Sequence, residues 1–343
     1  MAKEFERNIR IAIAPICNMN CVYCIGDNRK IDNRKMTAME DIRNTPLSSG
    51  CISTEQLLSM LEVFCKVGFN GISLTGGEPM INKEWAYIID SAADIGFSRR
   101  EITTNGLLLG KYCIEHRSLP KLTTIKVSFD TAEKEIFNAI TGGNNFDTVV
   151  NSVRIASKYI KNIRANRVML RSKIDDLSDY LRFCIENGFS SANLMELYAY
   201  PDENWTIEER NFFTSQYVPY KETFETLIGL GVIDEHRHRY GHSVRLNNGF
   251  TVLATDSTYT IRDFECKKCK VFCQQGKFTV RIATDGTITM CPNFNGKLYS
   301  IDGIECLENG TLEEKIKPMY KSLAYTPEEN VFQHFLTRHN INI

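Results

Sequence analysis

From Ile9 to Leu197 short apolar runs alternate with amphipathic stretches, and this restricts the possible folds more than any other feature of the chain. Ile9–Ala14 is an apolar run that ends at Pro15. Ser53-Thr54-Glu55-Gln56 has the spacing of a capping box, and Leu57, Leu58, Leu61 and Phe64 then recur at helical spacing. Gly71–Thr75 reads as a strand followed by Gly76-Gly77, and Trp85–Ala93 as a helix. Glu101–Thr104 reads as a strand closed by Asn105-Gly106. Lys126–Phe129, Ala165–Leu170 and Ala192–Leu197 are further strands, separated by helices over Phe146–Tyr159 and Leu177–Asn187. About six β/α units fit into roughly 200 residues, which predicts an α/β fold with a parallel sheet and helical crossovers. A partial (β/α)6, TIM-like barrel is the natural form, with reactive groups at the C-terminal ends of the strands.

After Pro201 the pattern changes. Ile207–Leu230 reads as helical, His236–His242 as a basic, histidine-rich loop, and Thr279–Ala283 with Thr287–Met290 as a hairpin around Asp285-Gly286. The expected division is a barrel over 1–205 and a C-terminal region over 206–343.

The 41 lysines and arginines balance 42 aspartates and glutamates, a net charge of -1. No global basic field draws the chain to nucleic acid. No apolar run is long enough to span a membrane and the start lacks a secretory h-region, so a cytoplasmic protein is expected. There, grouped cysteines read as metal or redox sites. Of the 12 cysteines, Cys17, Cys21 and Cys24 form one group, and Cys266, Cys269, Cys273 and Cys291 another. Cys51, Cys65, Cys113, Cys184 and Cys306 stand alone, with Cys65 and Cys184 in apolar helical patterns that predict core positions.

Cys17, Cys21 and Cys24 have the spacing C-x3-C-x2-C just after the first strand. Soft, anionic thiolates suit an iron–sulfur cluster, and three of them leave one iron of four open to a small chelator. A zinc site is the competing reading, but no histidine nearby completes four protein ligands.

This triad resembles the signature of the radical S-adenosylmethionine (SAM) enzymes. Thr75-Gly76-Gly77-Glu78-Pro79, Thr103-Thr104-Asn105-Gly106 and Val127-Ser128-Phe129-Asp130, each at a strand end, are similar to that family's SAM-binding segments. The resemblance implies a 4Fe–4S cluster on the triad and SAM chelated at the open iron. One electron then breaks the sulfonium bond, and a 5′-deoxyadenosyl radical abstracts hydrogen from substrate. It implies Tyr23 against the adenine, and Gly76, Gly77, Glu78 and Pro79 around the SAM amine. Thr104, Asn105, Ser128, Asn166 and Arg171 are the remaining candidate cofactor contacts. It also implies an electron donor such as flavodoxin or ferredoxin. Ordinary strand-end capping is the alternative for Thr104 and Ser128.

The second cysteine group, four in 26 residues, admits a second iron–sulfur cluster or a zinc knuckle on spacing alone. Much of the chain resembles the molybdenum-cofactor GTP cyclases, through Ile140-Thr141-Gly142-Gly143, Phe146-Asp147, Met195-Glu196-Leu197 and the C-terminal C-x2-C with its Asp-Gly hairpin. That resemblance implies a second 4Fe–4S cluster on Cys266, Cys269 and Cys291, with substrate at its open iron, and Cys273 is a candidate fourth ligand. It also implies a substrate contact at Arg281.

Three departures stand out. Cys273 is a fourth cysteine, which as a ligand would leave no open iron. Thr279 replaces an expected arginine. The end, Asn340-Ile341-Asn342-Ile343, lacks the cyclases' glycine pair. These departures point to a paralogue acting on another small molecule, nucleotide-like or phosphorylated, consistent with Arg164, Arg167 and Arg171 clustering near one strand. Two alternatives stay open. One is a radical SAM peptide maturase, although the first strand begins too early for a fused leader-binding domain. The other is a metal-binding redox regulator on an inactive barrel.

Overall fold

The structure, a computed structural model, describes residues 7–22, 24, 51–197, 206–238, 241–257, 279–291 and 300–323. Strand β1 (Asn8–Ala12) leads to helix α1 (Thr54–Val67), whose N-terminus carries the expected capping box between Ser53 and Gln56. Then follow β2 (Gly71–Thr75), α2 (Trp85–Ile95), β3 (Arg99–Thr104), α3 (Leu109–His116) and β4 (Thr124–Ser128). Helices α4 (Lys134–Thr141) and α5 (Phe146–Ala156) precede β5 (Ile163–Met169), α6 (Leu177–Glu186) and β6 (Ser191–Glu196). Every strand and helix expected over this stretch is present.

The C-terminal part contributes α7 (Ile207–Gln216), α8 (Tyr220–Gly229), β7 (Val232–His238), β8 (Gly241–Leu246) and β9 (Thr251–Thr255). It ends with β10 (Val280–Ile282), β11 (Thr287–Thr289), β12 (Ser300–Asp302), α9 (Gly303–Glu308) and α10 (Leu312–Leu323). Two expectations here need correction. The helical stretch 207–230 is two helices, because Pro219 cannot continue the first and instead caps the second. The histidine-rich loop is a hairpin: His236 and His238 lie on β7 and His242 on β8.

The twelve strands among the described residues form one sheet in the order β12-β11-β10-β1-β2-β3-β4-β5-β6-β9-β8-β7. Pairing is parallel from β10 through β1–β6 to β9 and antiparallel outside them. The six-unit partial barrel is therefore widened on both sides by strands from the C-terminal region, and β1 is an internal strand because β10 lies beside it.

Strands β1 to β5 carry apolar and polar side chains largely on opposite faces. Ile9, Ile11, Ile72, Leu74, Ile102, Ile125, Val127, Ile163 and Ala165 are fully buried on the outer, helix-covered face. Arg167 shares that face and reaches the Lys173 carbonyl at 2.6 Å, Asp176 and the ring of Tyr180. The alternate positions turn inward and are polar: Arg10, Ser73, Glu101, Lys126, Ser128, Arg164, Asn166 and Asn193. Cys184 and Cys113 are core residues, Cys306 is buried, and Cys65 packs partly buried against the core. No helix among the described residues is long and apolar enough to cross a membrane.

Candidate active site

The loop after β1 carries Cys17, Cys21 and Cys24 and is fastened from two sides. On one side, the ladder between β1 and β2 continues past the strand ends. Ile13 N donates to the Thr75 carbonyl at 3.0 Å, Gly77 N to Ala14 at 2.7 Å and Glu78 N to Ile16 at 2.8 Å. Gly76 adopts φ +135°, and a Cβ on Gly77 would stand 2.1 Å from the Ile16 carbonyl oxygen. The close approach that these two glycines permit is therefore to the cysteine loop's own backbone. On the other side, the end of α4 accepts from the loop, Asn20 N to the Thr141 carbonyl at 3.2 Å and Val22 N to Ile140 at 3.0 Å.

Within the loop the three thiols influence one another. Burial pushes Cys17 up to about 11, with Glu78 and Cys24 adding to the rise and the Met19 amide and Asn105 opposing it. Burial, then Cys17, Cys24 and Asp130, pushes Cys21 up to about 12. The sulfurs of Cys17 and Cys21 are thus poor isolated anions, and a cationic iron centre is the partner that would hold them as thiolates. Cys24 is exposed at the loop's rim. Three coupled, soft donors on a backbone braced from both sides fit a cluster with one open iron.

Glu78 follows the glycines and is 1% exposed. Its Oε1 accepts from Thr104 Oγ1 at 2.7 Å and Met80 N at 3.1 Å, and its Oε2 from Asn105 N at 2.8 Å. Burial raises its carboxyl to about 7 against these donors. Thr104 and Asn105 are buried at the end of β3. Asn105 Nδ2 reaches Asn18 Oδ1 at 2.7 Å and Cys17 Sγ at 3.6 Å, and Met19 N donates to the same sulfur at 3.4 Å. Pro79 is buried and opens a short 3-10 turn. Ser128 and Asn166 are register partners on the inner face, where Asn193 Nδ2 donates to Asn166 Oδ1 at 3.2 Å.

Arg171 is not gathered with these residues. Its guanidinium pairs with Glu222 and donates to the Tyr217 carbonyl at 3.1 Å, on the α7–α8 side. Tyr23, Cys266, Cys269 and Cys273 lie outside the described residues.

Sequence reasoning missed Arg10. It is the register partner of Arg281, so two guanidinium groups stand side by side on the inner face. Arg10 is accessible to water yet enclosed, and burial followed by Arg281 lowers it to about 10. Its signal was an arginine between Ile9 and Ile11 in a strand of period two. Also missed was Glu101, 1% exposed between Arg99 Nε at 2.9 Å and Lys126 Nζ at 2.5 Å. The cysteine triad follows the C-terminal end of β1. Cys291 follows β11, which runs antiparallel to β10 and so ends near the opposite end of β1. Along the strand axis, Arg10 and Arg281 lie between the cysteine triad and Cys291.

A cysteine loop beside β1, backed by the β2 turn and the end of β3, defines an iron–sulfur, SAM-binding class of enzyme on a parallel α/β sheet. A family model described as Radical SAM superfamily matches residues 11–184, just over half of the chain, and the chain belongs to that superfamily. Membership implies a 4Fe–4S cluster and SAM as cofactors. The chain is similar to a probable GTP 3′,8-cyclase of Sulfurisphaera tokodaii, 28% identical over 202 residues, 58% of this chain and 59% of that protein. That match spans less than two thirds of the relative's length. A GTP 3′,8-cyclase of Limosilactobacillus fermentum is 26% identical over 342 residues, covering 96% of this chain and 94% of the relative. In fold the chain is similar to native anSMEcpe with bound AdoMet, with TM-score 0.56, 14% identity, and coverage of 96% of this chain and 95% of that one.

Proposed function

We propose that this protein cleaves SAM reductively and abstracts a hydrogen atom from an anionic small molecule, nucleotide-like or phosphorylated, held on the inner face of the sheet. The observation that carries the substrate class is the Arg10–Arg281 pair. Two neighbouring guanidinium groups repel one another, and a phosphate or carboxylate that both can fork onto offsets that repulsion.

Cys17, Cys21 and Cys24 would hold the first cluster. When bound and reduced, the cluster would supply the electron that breaks the SAM sulfonium bond, and the 5′-deoxyadenosyl radical released would take hydrogen from substrate. The surrounding side chains do the rest. Gly76, Gly77, Glu78 and Pro79 shape the turn beside the cysteine loop and offer its polar atoms to the SAM amine. Thr104, Ser128 and Asn166 line the polar path to the SAM carboxylate or ribose, with Tyr23 against the adenine. Arg10 and Arg281 orient substrate between the cysteine groups. Residues 206–343 would supply a second cluster on Cys266, Cys269, Cys273 and Cys291, which with four ligands relays electrons or holds structure. A flavodoxin or ferredoxin is the fitting electron donor.

The similar proteins named GTP 3′,8-cyclases make GTP the first substrate to try. Thr279 stands where the resemblance expects a second arginine beside Arg281, and its hydroxyl donates to the Asn8 carbonyl at 2.8 Å. This supports a paralogue whose substrate needs fewer cations there.

The test is anaerobic reconstitution, followed by SAM, dithionite and a panel of nucleotides and sugar phosphates, with 5′-deoxyadenosine as the readout. Wild type should cleave SAM slowly alone and faster with a phosphorylated substrate, and Cys17→Ala should do neither. Arg10→Ala and Arg281→Ala should keep the slow cleavage but raise KM at least about tenfold, the loss of one charge-assisted contact. Cleavage by Cys17→Ala would sink the cluster assignment. Stimulation by an uncharged substrate, indifferent to both arginines, would sink the substrate class.

A further inference from the structure

We propose that Asn105 is a positioning residue for the first cluster. Its side-chain amide donates to the sulfur of Cys17 and makes the cluster easier to reduce. The inference rests on the reading that Cys17, Cys21 and Cys24 hold a 4Fe–4S cluster.

Asn105 is fixed at every polar atom that could let it swing. Its backbone N–H is held by Glu78 Oε2 at 2.8 Å. Its Oδ1 accepts from Leu107 N at 3.0 Å, closing the turn after β3. Its Nδ2 is then aimed at two acceptors, Asn18 Oδ1 at 2.7 Å and Cys17 Sγ at 3.6 Å. The residue is buried, which limits competition from water at these contacts. Among the described residues, Cys17 is the member of the triad whose sulfur takes a donor from another side chain, and Met19 N adds a backbone donor to the same atom. Met19 and Asn18 belong to the cysteine loop, whereas Asn105 arrives from β3. The contact therefore ties two separate motifs together at a ligand atom.

One-electron reduction, here by dithionite, adds one negative charge to a cluster. A hydrogen bond to a ligating sulfur stabilises that added charge, and a nearby carboxylate opposes it. Cys17 takes the donor from Asn105, whose backbone N–H is in turn held by the Glu78 carboxylate at 2.8 Å. The Asn105 side-chain amide, on a backbone anchored by that carboxylate, opposes its negative field at the ligand sulfur. A contact to SAM alone predicts something different: it would alter SAM affinity and leave the potential without SAM unchanged.

The experiment is an EPR-monitored redox titration of the reconstituted full chain without SAM, using the signal that Cys17→Ala abolishes. Iron and sulfide are counted in each sample. Asn105→Ser keeps a side-chain oxygen for Leu107 N but is too short to reach Cys17. Its reduction equilibrium should move about tenfold against the reduced form, a midpoint about 59 mV more negative. Asn18→Ala removes the second acceptor that aims the amide, and should move the midpoint in the same direction by less. Unchanged midpoints in both variants at full iron content overturn the proposal, as does a change confined to SAM affinity. If Asn105→Ser loses its iron, the Asn18→Ala midpoint decides. A wild-type protein that holds no four-iron cluster overturns the cluster reading itself, and the proposal with it.

Discussion

Glu196 shows how much one side chain can organise. It closes β6 and is buried, and its Oε1 accepts from Tyr217 Oη at 2.8 Å and Tyr220 N at 3.1 Å. Its Oε2 accepts from Ser257 N at 2.7 Å and from the Ser257 hydroxyl. One carboxylate thereby joins the α7–α8 turn to the end of β9. Burial, aided by Asp256, raises it from 4.5 to about 7 against these donors. The folded state therefore binds this proton more tightly than the unfolded state. The contribution is fully present below about 4.5 and is lost as pH rises through about 7. Chemical unfolding of wild type and Glu196→Gln across that window should show the difference in stability moving in favour of the glutamine variant as pH rises, on the order of 1–3 kcal/mol. A difference that stays flat with pH would mean that Glu196 is ionised throughout.

At the scale of elements, the β2 turn and the cysteine loop behave as one unit. The hydrogen bonds of Gly77 N and Glu78 N extend the β1–β2 ladder into residues with no strand geometry of their own. No side chain fits at Gly77, where an added Cβ would meet the Ile16 carbonyl carbon at 2.4 Å. Gly77→Ala should push the loop off the turn, costing on the order of 1–3 kcal/mol and most of the bound iron. Gly229→Ala, in a helix with nothing within 4 Å of the new methyl, is the control and should be neutral or mildly stabilising. Urea titration of the apoprotein and iron content after reconstitution read both effects. Full iron in Gly77→Ala would show that the loop does not depend on this contact.

For the whole molecule, the sheet makes the two halves of the chain depend on each other. β10 covers one edge of β1, and β9 covers the outer edge of β6. Helix α10 closes the region below β1, where Tyr320 packs edge-on against Phe69 at 5.3 Å and under the Arg7 guanidinium at 3.6 Å. Lys66 pairs with Glu313 across the same seam at 2.5 Å. A fragment of residues 1–205 keeps the whole first cysteine group but leaves β1 as an edge strand. It should unfold without a cooperative transition and retain little iron, as judged by near-ultraviolet circular dichroism and denaturant titration. Cooperative unfolding at the full chain's midpoint would show that residues 1–205 fold alone.

The sequence by itself determined the parallel β/α core and the cysteine triad, because both are local. Period-two and helical patterns, the capping box at Ser53 and the spacing of Cys17, Cys21 and Cys24 can all be read within a few consecutive residues. The tertiary structure decided what depends on register between distant segments. Arg10 meets Arg281 only because β10 pairs with β1, and Arg171 turns to Glu222 because α8 packs there. Glu78 spends its carboxylate on Thr104, Met80 and Asn105, and Asn105 reaches Cys17 because the ends of β1, β2 and β3 converge. Motif spacing records which groups a chain carries. Strand pairing over hundreds of residues sets which of them touch, and no local pattern encodes that pairing.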